Sequence, residues 1–176
     1  MIKKFAVMAL ALSVSGCLQY SKIETPPQKV KFTNATAQKN VHAFVKTAIR
    51  TNTFTKPNPK PNTLPDAEVT GAVCTLTNKG FRAEVKTPAY LEIPHYKGRA
   101  DPITVVCRTP EEKVTTVYPA VNLTLQNINS STASTGGLLG VLIVEATKSV
   151  IAASRNPAND VFGYPGIISA SFGRAK

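Results

Sequence analysis

Val69-Thr70-Gly71-Ala72-Val73-Cys74-Thr75-Leu76-Thr77-Asn78-Lys79-Gly80-Phe81-Arg82-Ala83-Glu84-Val85-Lys86 reads as two strands joined by a tight turn. From Phe81 to Lys86 apolar and polar residues alternate, the period of a strand with one face buried and the other in water. Val69 to Leu76 alternates more weakly around Cys74, and Thr77-Asn78-Lys79-Gly80 has turn composition, with a glycine available for positive φ. Further along, Thr87-Pro88 breaks the pattern, Tyr90 to Ile93 resumes it, and Pro94 to Pro102 is expected as a polar loop containing Gly98. Ile103 to Cys107 is a β-branched, buried strand, and Val114 to Leu125 supplies one long or two short strands interrupted at Pro119. Short strands at this spacing predict a mainly β (α+β) fold, a small antiparallel β-sandwich or open barrel over residues 64–128.

The whole chain has 176 residues, enough for one domain with appendages but not for two full domains. Hydrophobic residues make up 43% and charged ones 18%, which excludes wholesale disorder. Only 7% are aromatic, none is Trp, and 13 Pro outnumber 10 Gly, a mix that suits short strands and extended connectors better than a helical bundle.

Upstream of the strands, residues 17–63 read as a basic tether. Within it Val41, Phe44, Val45, Ala48 and Ile49 keep helical spacing, so a short N-terminal helix is expected over 36–50, with Asn34 or Thr36 as N-cap. Lys56-Pro57-Asn58-Pro59-Lys60-Pro61 is a semi-rigid spacer, because repeated proline fixes φ and removes amide donors. Downstream, residues 129–176 begin with a Gly/Ser linker, Ser130 to Gly137. Leu139, Leu142, Ile143, Ala146, Val150 and Ala153 then form one stripe of a C-terminal amphipathic helix, opposite Glu145, Lys148 and Arg155. Those charges come too early for a membrane span. After Tyr164-Pro165-Gly166, Ile167 to Phe172 is a final strand returning to the same domain.

Residues 1–16 have the form of a secretory signal: Lys3 and Lys4, an apolar run from Phe5 to Leu12, then small residues up to Cys17. Val14-Ser15-Gly16-Cys17 resembles the lipobox of bacterial lipoproteins, with Val14 where Leu is more usual. The resemblance implies that Cys17 becomes the first mature residue and carries a diacylglyceryl thioether and an N-acyl chain such as palmitate. Several acyl chains anchor stably where one binds only marginally. Leu18 and Gln19 are not acidic, which by the same resemblance implies passage to the outer membrane, periplasmic side, rather than retention in the inner one.

The formal charge is +11, and it is unevenly distributed. Lys3 and Lys4 leave with the signal, and residues 22 to 60 hold eight basic residues against Glu24 alone. Lys29, Lys31, Lys39, Lys46 and Arg50 are the candidates for weak contact with an anionic surface, at on the order of 1 kcal/mol each. The competing reading is a solvated linker kept extended by its own charge. Nucleic acid is set aside as partner, since export removes the chain from it.

With Cys17 acylated, Cys74 and Cys107 remain in an oxidising compartment, which favours one disulfide over free buried thiols or redox use. Neither cysteine nor His42 or His95 has metal-ligand spacing, so no metal and no cofactor is expected.

Gly71 to Gly80, Thr87-Pro88, Pro94, and Ile103-Thr104-Val105-Val106-Cys107 together resemble a module of small bacterial envelope proteins, similar to PEGA-type β-sandwich modules. The resemblance covers roughly residues 68–110. It implies a fold and an envelope location and no reaction; His95-Tyr96-Lys97-Gly98-Arg99 departs from it.

No nucleophile elbow, carboxylate pair, His-Glu metal motif or phosphate loop is present, so no catalytic residue is assigned. The expectation is a non-enzymatic binding or structural lipoprotein whose partners are the membrane and peptidoglycan or another envelope protein. The alternative is an envelope enzyme or accessory subunit with a site near His95, a residue read first as a surface-loop histidine.

Overall fold

The computed structural model describes residues 20–54, 65–130 and 156–173. The signal segment, Cys17, the Lys56–Pro61 spacer, the linker after Ser130 and the amphipathic helix expected over 139–155 lie outside these residues.

Among the described residues, twelve strands and three short helical segments follow in order: β1 (Gln28–Lys29), β2 (Lys31–Phe32), α1 (Ala35–Lys39), β3 (Val41–Thr53), β4 (Ala67–Glu68), β5 (Val73–Thr77), β6 (Phe81–Lys86), β7 (Ala89–Lys97), β8 (Ile103–Arg108), β9 (Lys113–Tyr118), β10 (Val121–Asn122), α2 (Leu123–Ser130), a 3-10 turn (Pro157–Asn159), β11 (Val161–Gly163) and β12 (Ile167–Phe172). They form two sheets. The seven-stranded one runs β10-β11-β7-β3-β12, with β1 added to β7 and β4 to β3; the five-stranded one runs β2-β6-β5-β8-β9. Pairing is antiparallel except for β3 with β12 and β1 with β7. The fold is thus mainly β and broadly sandwich-like.

The core comes from the inward residues of both sheets. Phe81, Ala83 and Val85 of β6 are buried while Arg82, Glu84 and Lys86 are exposed, which is the alternation visible in the sequence. Cys74, Leu76, Ile103, Val105 and Cys107 complete one side; Ile49, Leu91, Ile93, Ile168 and Phe172 face them from the other. Cys74 and Cys107 are opposite residues of β5 and β8 and are joined as a disulfide. One seam between the sheets is closed by Tyr118, whose hydroxyl donates to the Ser169 carbonyl and accepts from the Ser169 amide at 2.9 Å.

Three expectations are corrected. The helix placed at 36–50 is helical only over Ala35–Lys39, where the Asn34 side chain accepts from the Ala37 amide at 2.7 Å. Residues 41–53 are instead the long strand β3, paired along one edge with β7 and along the other with β12. The reason is a second periodicity: Val45, Thr47, Ile49, Thr51 and Thr53 are β-branched at every other position, which favours a pleated surface over a helix. The domain boundary placed at 63/64 therefore moves, since β1, β2 and β3 belong to the two sheets. Pro94 does not start a loop; β7 continues to Lys97. The second edge of β7 is taken by β1 at Leu91–Glu92 and by β11 at Tyr96–Lys97, so Pro94 falls between partners and its missing N–H breaks no ladder bond. Finally, Val114 to Leu125 takes the form of two short strands, β9 and β10 on either side of Pro119, and departs from expectation only at Leu123, where α2 begins; the Asn122 side chain accepts from the Leu125 amide at 3.0 Å.

Candidate functional site

Three segments far apart in sequence meet at one end of the sandwich: α1 with its cap, the 78–80 turn between β5 and β6, and the chain leaving β7. Between them lies a cleft of about 190 Å³ lined by Asn34, Thr36, Ala37, Asn40, Asn78, Lys79, Gly80, Tyr96, Arg99, Ala100 and Asp101.

Asn78 builds the turn. Its side-chain carbonyl accepts from the amides of Gly80 and Phe81, both at 2.8 Å, and its amide group donates to the Tyr164 hydroxyl at 3.2 Å. Tyr164 in turn donates to the Asp101 carbonyl at 2.6 Å, tying the 99–101 segment to the turn. Asn34 bridges α1 to the same turn, its amide group donating to the Lys79 carbonyl at 3.0 Å. Gly80 is needed for close approach, not for positive φ. A Cβ there would lie 2.8 Å from the Ala37 Cβ and 3.1 Å from the Tyr96 hydroxyl.

Tyr96 is only 6% exposed, yet its hydroxyl has no hydrogen-bond partner. Leaving such a group unmade costs about 1–3 kcal/mol, so the position calls for an explanation. Burial, and then the nearby Tyr164 and Asp101, push the phenol above its ordinary value, so it stays protonated and able to donate. At the rim Lys79 pairs with Asp101 at 3.5 Å, while Arg99 has no carboxylate partner among the described residues.

The basic residues singled out from sequence lie on the folded domain. Lys29 and Lys31 are exposed on β1 and β2, Lys39 ends α1, and the Lys46 ammonium sits 4.5 Å over the Tyr90 ring. Arg50 differs from the expectation: it is engaged within the molecule. Its guanidinium pairs with the Glu68 carboxylate, donates to the Ser21 carbonyl at 3.1–3.2 Å, and covers the Tyr20 ring. Burial alone would raise the Glu68 carboxyl, but the Ser21 amide and Arg50 outweigh it and hold it below its ordinary value.

His95 is not a loop residue either. It is half-buried on β7, its Nε2 is without a partner, and it is not among the residues lining the cleft. A Cβ at Gly163 would come 2.6 Å from that nitrogen, so the ring is packed under β11. Burial, and secondarily His42, lower its pKa.

A pH profile of stability follows from these two groups. The unfolded chain takes up the His95 proton first, so stability is complete above about pH 6.5 and declines as pH falls from there toward the lowered folded value. Glu68, shifted the same way from an ordinary 4.5, adds a separate loss below about pH 4.5. Urea midpoints across this range check it: His95→Gln is expected to flatten the upper limb and leave the lower one. An unchanged upper limb sinks the assignment.

Among the described residues no group of three or more His, Cys, Asp or Glu is placed to hold a metal, and no helix is long and apolar enough to cross a membrane. Fold and site together define a disulfide-linked, two-sheet β domain with a small cleft of mixed polar and apolar lining at one end. No family model, curated protein or solved structure matches the chain. Of the cleft, the Asn78 turn and the Asn34 cap carried recognisable turn and cap signals; Tyr96 and Arg99 carried none, because their positions depend on β7 running through Pro94.

Proposed function

We propose that the chain is a lipid-anchored protein of the bacterial envelope, on the periplasmic side of the outer membrane, and that its β-sandwich is a non-enzymatic binding or structural module. The observation that carries this reading is Val14-Ser15-Gly16-Cys17 directly after a basic start and a short apolar run. The buried Cys74–Cys107 bridge supports it, because such a bridge persists in an oxidising compartment. Leu18 and Gln19 favour the outer membrane. Lys29, Lys31, Lys39 and Lys46 are available to an anionic lipid or peptidoglycan surface, whereas Arg50 is occupied by Glu68.

The test is Cys17→Ala in a bacterial host grown with an alkyne-bearing palmitate analogue. The parent chain is expected to carry the label and fractionate with membranes. The variant is expected to lose the label and to retain its uncleaved leader or appear soluble. Label on the variant, or none on the parent, removes the anchor.

A further inference from the structure

Among the described residues lining the cleft, only Tyr96 has a buried polar atom without a partner. The amides beside it are committed: Asn34 bonds the Ala37 amide and the Lys79 carbonyl, and Asn78 bonds Gly80, Phe81 and Tyr164. Lys79 is paired with Asp101. The Thr36 hydroxyl and the Asn40 amide, which can donate or accept, also line the cleft; the two groups that can only be satisfied by a visitor's acceptor are the Tyr96 hydroxyl on the floor and the Arg99 guanidinium at the rim, which has no carboxylate partner among the described residues. A phenol O–H beside a guanidinium selects a ligand with acceptor oxygens.

We propose that this cleft binds the carboxylate end of a small monoanionic molecule, with Arg99 meeting the carboxylate from the rim and the Tyr96 hydroxyl donating to it from the floor. Charge selects the monoanion. Lys79 and Asp101 cancel, leaving the single charge of Arg99, and a phosphate dianion would bring its second negative charge against Asp101. A guanidinium also matches a carboxylate in two-point geometry. Size selects the body of the ligand: about 190 Å³ exceeds a bare carboxylate yet is smaller than the usual 300–1,000 Å³ of sites for larger molecules. Ala37, Ala100 and the Tyr96 ring offer that body apolar contact. An amino-acid-sized acid fits, as does the carboxylate terminus of a longer chain leaving through the mouth. The inference does not depend on the lipid anchor.

The test uses the full-length chain in detergent micelles, with its disulfide formed. N-acetyl-alanine is titrated in, alongside N-acetyl-alaninamide, which has the same body without the charge, and inorganic phosphate. Amide shifts of residues 78–80 and 96–101 are expected to saturate with the acid, and the amide and phosphate to bind at least about tenfold more weakly. Arg99→Ala is expected to weaken the acid about tenfold or more, and Tyr96→Phe about threefold to tenfold. A stability readout separates ligand binding from architecture. Because the fold gives the hydroxyl no partner, Tyr96→Phe is expected to keep its thermal midpoint at or above that of the parent. Four results would overturn the proposal: no saturable response to the acid up to about 10 mM, equal response to acid and amide, tighter binding of phosphate, or affinity unchanged in both variants.

Discussion

Ile49→Ala is expected to lower the stability of the oxidised chain by about 2–5 kcal/mol, as large-to-small changes in a closed core do. Ile49 is fully buried on β3, opposite Ala89 of β7 on one side and Ile168 of β12 on the other, and it belongs to the cluster shared by both sheets. Strands on both sides limit how far the site can collapse, so the lost contacts and the remaining void add. This change also separates two architectures. Were residues 36–50 a helix on a tether, the same truncation would act on a peripheral stripe and shift stability by about 0.5 kcal/mol or less. The measurement is a urea transition followed by far-ultraviolet circular dichroism, with Lys39→Ala, on the exposed end of α1, as the neutral control. An Ile49→Ala midpoint equal to that of the control would remove β3 from the centre of the fold.

Why β3 was open to a helical reading while β6 was not is a matter of which residues count as apolar. On β6 the buried positions are Phe81, Ala83 and Val85 and the exposed ones are charged, so period two is unambiguous. On β3 the inward positions include Thr47 and Thr51, which a hydropathy reading scores as polar. They are buried because their hydroxyls are satisfied. Thr51 donates to the Val69 carbonyl at 2.5 Å, and its oxygen lies 2.7 Å from that of Thr87. Ala48, buried on the opposite face, and exposed Phe44 then supply the i, i+4 coincidences of a helix. The parallel pairing of β3 with β12 joins residues more than a hundred positions apart, and no local pattern announces such a partner. The same logic governs the cleft. Capping by Asn34 and the turn at Asn78 are local chemistry and were legible. Their meeting with Tyr96 and Arg99 is set by the register of β7, which a proline-based loop assignment erased.

Removal of the Cys74–Cys107 bridge is expected to cost about 3–4 kcal/mol, on the chain-entropy account for a loop of this length. The two cysteines are 33 residues apart, directly opposite in the β5·β8 ladder, and both fully buried. The loop they close contains β6 and β7 and, with them, two of the three segments that build the cleft. Most of the effect acts on the unfolded chain: with the link cut, residues 75–106 regain the freedom that folding must remove. Two observables therefore move together for Cys74→Ala with Cys107→Ala. The urea midpoint is expected to fall, and the slope of the transition to rise, because an unlinked denatured state exposes more surface. Burial sets the kinetics as well. Dithiothreitol is expected to leave the bridge of the folded protein largely intact and to reduce it quickly once urea opens the sheet, since the attacking thiolate must reach the sulfur. Rapid thiol release under native conditions would show that the β5·β8 ladder opens on its own. A double variant with an unchanged midpoint would show that the bridge contributes nothing the two sheets do not already supply. The expected loss ties the stability of the cleft to the redox state of its surroundings: a chain kept reduced in the cytoplasm would hold the same strands together with 3–4 kcal/mol less, roughly a third of the 5–15 kcal/mol typical of a domain.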